Sequence, residues 1–119
     1  MAAATKVLVV DDSLTMRALL SGALERIPNV VVVGSADGAD EARQMVEALR
    51  PDVMTLDVEM PGMSGLEYLA ELMDKRPMPV IMFSTRTEAG AEASIEALRL
   101  GAIDCFPKPK VAEIGRAHV

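Results

Sequence analysis

Short β-branched runs alternate with longer amphipathic stretches along nearly the whole chain. The apolar runs lie at Lys6–Val10, at Asn29–Gly34 around four consecutive valines, at Asp52–Leu56, at Pro79–Phe83 and at Ala102–Phe106. None alternates strictly between apolar and polar residues, which is the pattern of strands covered on both faces. Between them the apolar spacing is helical. One helix is predicted from Leu14 through Leu24 and Ile27, with Ser13 as N-cap and Pro28 as the stop. Ala39 to Leu49 puts Ala42, Met45, Val46 and Leu49 on one face, and Pro51 follows. Ser64 to Lys75 groups Leu66, Leu69, Leu72 and Met73. Glu88 to Leu100 is alanine-rich, with Ile95, Leu98 and Leu100 apolar and Gly101 as the C′ residue. The order β-α-β-α-β-α-β-α-β predicts right-handed crossovers and an α/β fold with a doubly wound, five-stranded parallel sheet. About ten residues follow the fifth strand. That is short for a closing helix, so the final helix is expected to be missing or incomplete and the first strand to keep an open apolar strip.

At 119 residues the chain is one domain, and half of it is hydrophobic, which excludes a disordered tail. The net charge of −6 disfavours nucleic acid as main partner, because a phosphate backbone needs a cationic face. A single Cys and a single His leave no internal disulfide and no zinc spacing. No apolar run reaches the ~18 residues of a membrane span, and no signal peptide is legible. The expected location is the cytoplasm.

The chemistry collects at the carboxyl ends of the strands, where open α/β sheets bind ligands. The first strand ends in Asp11-Asp12, the third in Asp57, the fourth in Ser84 with Thr85 next, and the fifth in Lys108. Taken singly, each is commonplace. A strand-end Asp often caps the next helix, a lone Lys is a solvated charge, and a lone Ser carries no signal. The joint pattern is what points to a site. Three converging carboxylates repel one another, and a hard divalent cation such as Mg²⁺ relieves that repulsion with one or two direct carboxylate ligands. Lys108 offers a compact positive charge for a phosphoryl oxygen, and Ser84 offers a hydroxyl. Asp57, alone at the end of the middle strand, is the candidate nucleophile for a transferred phosphoryl group. The nine Met residues read as core filler. His118 lies in a tail without a partner, and Cys105 reads as an inert core thiol.

Val7-Leu8-Val9-Val10-Asp11-Asp12-Ser13, the stretch Asp57-Val58-Glu59-Met60-Pro61-Gly62-Met63-Ser64-Gly65, Met82-Phe83-Ser84 and Lys108-Pro109 together resemble the receiver domain of two-component response regulators. The resemblance covers about residues 5 to 110. Arg76-Pro77-Met78-Pro79-Val80 and Gly101-Ala102-Ile103-Asp104 narrow it to the receivers of chemotaxis-specific protein-glutamate methylesterases. In that family a receiver precedes an esterase domain and masks it until a chemotaxis histidine kinase phosphorylates the receiver. The esterase then demethylates chemoreceptors. The resemblance implies a flavodoxin-like fold with strand order 2-1-3-4-5. It implies that Asp57 is the phosphoacceptor. Asp12, Asp57 and the backbone carbonyl of Glu59 would ligate Mg²⁺, with Asp11 acting through a water. Lys108 would contact the phosphoryl group, the bond to Pro109 would be cis, and Ser84 would move to bond the attached phosphoryl group.

Two departures stand out. The family often places a rotating aromatic three positions before the lysine, and here that position is Cys105. Strand alternation puts Cys105 and Phe106 on opposite sides. Also, Glu113-Ile114-Gly115-Arg116-Ala117-His118-Val119 matches none of the family's closing helix and can be read as a translated sequencing adapter. Residues 1–112 are therefore expected to be receiver and 113–119 non-native, with reads of the locus running in frame past residue 112. Three other readings remain. A receiver could serve a DNA-binding output. A Mg²⁺-dependent phosphatase of the haloacid dehalogenase type would want an Asp where Glu59 stands. A flavodoxin-like cofactor binder would have its phosphate repelled by Asp11-Asp12.

Overall fold

The computed structural model describes residues 3–109. Its elements run β1 (Thr5–Val10), α1 (Leu14–Glu25), β2 (Val30–Ala36), α2 (Ala39–Leu49), β3 (Val53–Asp57), α3 (Gly65–Lys75), β4 (Val80–Ser84), α4 (Glu88–Leu100) and β5 (Asp104–Pro107). The five strands form one sheet in the order β2-β1-β3-β4-β5, and every neighbouring pair is parallel. This is the doubly wound α/β fold that the alternation predicts, with the expected 2-1-3-4-5 order. The order reverses between β1 and β3, so the crevice at their carboxyl ends lies at the topological switch point.

Local chemistry sets the helix ends. The Ser13 hydroxyl accepts from the Met16 amide and starts α1. Ser64 and Glu67 form a reciprocal capping box at α3. The Thr87 hydroxyl accepts from the Gly90 amide at α4, and Gly101, at φ 115°, ends that helix in the left-handed region. α1 stops at Glu25 and does not reach Ile27. The Arg26 and Ile27 amides donate to Ala23 and Leu24, three residues back, so the last turn tightens before Pro28. β2 continues to Ala36, beyond the valine run, with a register shift opposite Val7 and Leu8.

The two faces of the sheet are unequal. The larger core joins Leu8, Val10, Met54, Leu56, Val80 and Met82 to residues of α2, α3 and α4, among them Val46, Tyr68, Leu69 and Ala97. The smaller one holds Val7, Val9 and Leu20 of α1, with Met16, Leu24, Val32 and Phe83 packed around it. The expectation of strands covered on both faces holds for β1, β3 and β4 and fails at the edges. In β2 only Ala36 is buried, and in β5 no residue is. An edge strand has one neighbouring strand fewer, so less of the molecule packs around it. The apolar strip expected on β1 is likewise elsewhere, because Val7 and Val9 are buried under α1. Val31, Ile103 and Phe106 are the exposed apolar groups at the two edges. Cys105 and Phe106 do face opposite sides. Cys105 packs on the larger core, while the Phe106 ring lies 6.3 Å from that of Phe83 on the other face. The expected boundary at residue 112, the tail 113–119 and His118 lie outside the described residues. No helix among the described residues is long and apolar enough to cross a membrane.

Gly65 lets α3 press on the end of β3. A Cβ there would sit 1.9 Å from the Asp57 carbonyl oxygen, and the Gly65 amide donates to the Val58 carbonyl at 2.8 Å. Gly22, in the middle of α1, has nothing within 4 Å of such a Cβ. We therefore expect opposite signs from the same substitution. Gly65→Ala should cost roughly 1–3 kcal/mol by overpacking, and Gly22→Ala should add roughly 0.5–1 kcal/mol through helix propensity. Urea midpoints at unchanged m-value measure both.

Candidate functional site

Parallel pairing brings the strand ends to one edge, and three carboxylates meet there. One oxygen from each of Asp11, Asp12 and Asp57 falls in a group whose members lie within 4.8 Å of one another. Asp11 and Asp57 are both 1% exposed, whereas Asp12 faces solvent. Each buried carboxylate has one oxygen held and one bare. Asp11 Oδ1 accepts from the Ser13 amide at 2.8 Å. Asp57 Oδ1 accepts from the Glu59 amide at 3.1 Å and pairs with Lys108 Nζ at 2.9 Å. Asp11 Oδ2 and Asp57 Oδ2 are buried without a hydrogen-bond partner. A buried, unsatisfied anionic oxygen is costly. Two of them beside a third carboxylate form an all-oxygen donor set suited to a hard divalent cation, so the residues present fit Mg²⁺.

The electrostatics follow from burial. Asp57 is pushed up to about 7, first by loss of water, then by the nearby Asp11 charge, against the pull of the Lys108 and Glu59 bonds. Asp11 is also raised, again mainly by burial and against its Ser13 bond. Lys108 is partly buried, which alone would lower it. Its bond to Asp57 and the charges of Asp57, Asp11 and Glu59 outweigh burial and raise it. Lys108 is therefore a fixed cation held against the one carboxylate whose charge is least stable alone.

The other predicted residues sit at the same edge with different attachments. The Glu59 side chain is exposed, and its Oε1 accepts from the Thr85 hydroxyl at 3.4 Å. Ser84 is buried, and its backbone carbonyl accepts from the Lys108 amide at 2.7 Å. Its hydroxyl is bonded to Ser94 of α4 at 3.3 Å and accepts from the Cys105 thiol at 3.8 Å. The expected cis bond is a correction. Among the described residues no peptide bond is cis, so the Lys108–Pro109 bond is trans, the isomer an X–Pro bond prefers by about 0.5–1 kcal/mol.

Sequence reasoning missed three residues. Arg17 donates to the Asp11 backbone carbonyl at 2.8 Å from the first turn of α1. Ser94 reaches Ser84 from α4. Gly65 admits α3 to the Asp57 backbone. Arg17 lies six residues after Asp11, in the first turn of the helix that follows the acid pair, and that spacing could have flagged it. Nothing in the linear pattern marks Ser94.

Comparison with known proteins agrees with this fold. The sequence profile described as response regulator receiver domain matches residues 7–118. The chain is 59% identical over 104 residues to protein-glutamate methylesterase/protein-glutamine glutaminase 1 of Caulobacter vibrioides, covering 87% of this chain and 30% of that protein. It is 57% identical over 109 residues to the corresponding protein of Agrobacterium fabrum, covering 92% of this chain and 31% of that one. The chain thus spans about a third of the length of these curated relatives. Among solved structures, the response regulator domain of Thermotoga maritima CheB superposes with a TM-score of 0.81 at 41% identity, covering 97% of this chain and 89% of that one.

Asp57 ties stability to pH. Its carboxyl sits near 3.8 when unperturbed and at about 7 in the fold. Between those values the folded state binds the proton and the unfolded state does not, so stability falls as pH rises through that window. Without metal, the unfolding free energy from urea titrations should fall from about pH 5 to about pH 8, by an amount on the order of a few kcal/mol. Asp57→Asn should flatten most of that slope, and Mg²⁺ should raise the wild-type midpoint at pH 8. Equal slopes for the two proteins would contradict the assignment.

Proposed function

This chain belongs to the response regulator receiver domain family, and on that premise we propose that it takes a phosphoryl group onto Asp57. The observation that carries the reading is the state of the Asp57 carboxylate. One oxygen is anchored by Lys108 and the Glu59 amide, and the other is buried and bare beside Asp11 and Asp12. Receivers accept phosphoryl groups from histidine kinases and bind Mg²⁺ at an acidic pocket. In this chain Asp12, Asp57 and the Glu59 backbone carbonyl are the proposed direct ligands, with Asp11 acting through a water. When bound, the cation spreads the negative charge of the transferring group.

The protein's own groups do the rest. A carboxylate oxygen of Asp57 attacks phosphorus, and the bond from phosphorus to the donor's imidazole nitrogen breaks. Lys108 Nζ, already at hydrogen-bond distance from Asp57, donates to a phosphoryl oxygen and offsets its charge. Burial keeps bulk water off the acyl phosphate. Its later hydrolysis, by attack of water on phosphorus, returns the free carboxylate and inorganic phosphate. Ser84 is the hydroxyl proposed to bond the attached group and to report it to α4 and β5.

The proposed output is a protein-glutamate methylesterase in the longer protein, with a chemotaxis-type histidine kinase as donor and chemoreceptors reached through the esterase. The curated relatives support this over a DNA-binding output. The haloacid-dehalogenase reading loses its support at Glu59. The side chain that would have to act as general acid is exposed and bonded to Thr85.

Incubation with Mg²⁺ and acetyl phosphate, followed by intact mass, tests the assignment. One phosphoryl adduct is expected, absent from Asp57→Asn. Lys108→Ala should slow adduct formation by about 10²–10³-fold, the usual cost of losing one preorganised donor. A folded wild-type chain that takes no adduct, or that steadily releases phosphate from monoesters, would refute the proposal.

A further inference from the structure

The Ser84 hydroxyl is part of a directed chain of bonds. Ser94 Oγ donates to the Gly90 carbonyl, four residues back in α4, at 2.9 Å. A hydroxyl has one proton, so Ser94 has none left for Ser84. At the 3.3 Å contact between the two hydroxyls, Ser84 is therefore the donor and Ser94 the acceptor. The Cys105 thiol donates into Ser84 from the other side at 3.8 Å and uses only a lone pair. Ser84 thus spends its single proton on Ser94.

A phosphoryl oxygen accepts hydrogen bonds and donates none once ionised. Any bond from Ser84 to a phosphoryl group on Asp57 needs the same proton that Ser94 holds. The two bonds exclude each other. We propose that Ser94 is a positioning residue, a latch that keeps Ser84 turned to α4 until a phosphoryl group outcompetes it. The inference rests on the receiver reading above and deepens it.

The surroundings suit a two-position hydroxyl. α4 is held close to the β4–α4 loop, since a Cβ on Gly90 would lie 2.0 Å from the Thr85 carbonyl oxygen. That contact fixes the Gly90 carbonyl, and through it the Ser94 hydroxyl, relative to Ser84. Beside the pair lies an open groove of about 520 Å³, lined by Ser84, Thr85, Ser94 and Pro107 among others. The groove lets solvent-sized groups reach the Ser84–Ser94 pair from the α4 side.

The test is the affinity for beryllofluoride, a phosphoryl mimic, with Mg²⁺, measured by calorimetry on this chain. Ser94→Ala should tighten binding by about 3–10-fold, the span of one net hydrogen bond. Ser94→Thr, which keeps a hydroxyl, should stay at wild-type affinity. In a Ser84→Ala background, adding Ser94→Ala should change nothing further, because no Ser84 proton remains to be held. A merely structural role for Ser94 would shift thermal stability in both backgrounds and leave this pattern absent. Unchanged or weaker binding by folded Ser94→Ala overturns the latch. So does a Ser94→Thr that behaves like Ser94→Ala, or an Ser94→Ala effect that survives in Ser84→Ala. If the wild type binds no beryllofluoride and takes no adduct from acetyl phosphate, the receiver reading falls and the latch falls with it. If the wild type does both, a failed latch leaves that reading standing.

Discussion

The burial of Asp57 at the end of β3 governs the polar edge of this protein. A carboxylate without water is unstable as an anion, and Asp11, equally buried, makes it more so. Lys108 and the Glu59 amide hold one oxygen of Asp57 and leave the other bare. That imbalance is costly in a resting protein and useful in one that must receive a cation and a phosphoryl group. A fully satisfied carboxylate would be a poor nucleophile and a poor ligand. In the proposed reading the unsatisfied oxygens are the functional ones.

The fold meets that requirement through its core on the α2–α4 side. Leu8, Val10, Met54, Leu56 and Met82 fix the three inner strands against α2, α3 and α4, so their polar ends are held by packed apolar residues. The α3 start is pressed onto Asp57 itself at Gly65. The α4 start is pressed onto Thr85 at Gly90, which carries Ser94 to Ser84. The same helices that close the core thus bring Gly65 against Asp57 and Ser94 against Ser84. On the other face, α1 covers β1 and supplies Arg17 to the Asp11 carbonyl. The edges of the sheet, β2 and β5, are the thinly covered parts, and Phe106 rests there against Phe83.

Much of this is legible in the linear sequence. Asp11, Asp12, Asp57 and Lys108 could be picked out because each terminates an apolar run, and parallel strands carry run-ends to one edge. Ser13, Ser64 and Gly101 could be placed because caps are local chemistry. The edge strands misled, since Val30 to Val33 reads as a covered strand while lateral position in the sheet decides cover. The end of α1 misled for a local reason: Ile27 keeps the apolar spacing although the backbone tightens before it.

The sequence by itself determined the order of elements, the parallel sheet and the identity of the acidic residues, because hydrophobic period and turn chemistry are properties of neighbours along the chain. Only the tertiary structure decided which carboxylate oxygens are bare, that Lys108 pairs with Asp57, and that Ser84 bonds to Ser94. Those depend on distances of a few ångströms between residues far apart in sequence, and on how much water is excluded around them. Periodicity carries no information on either quantity. Burial and pairing, which set the state of Asp57, exist only once the strands and helices have packed.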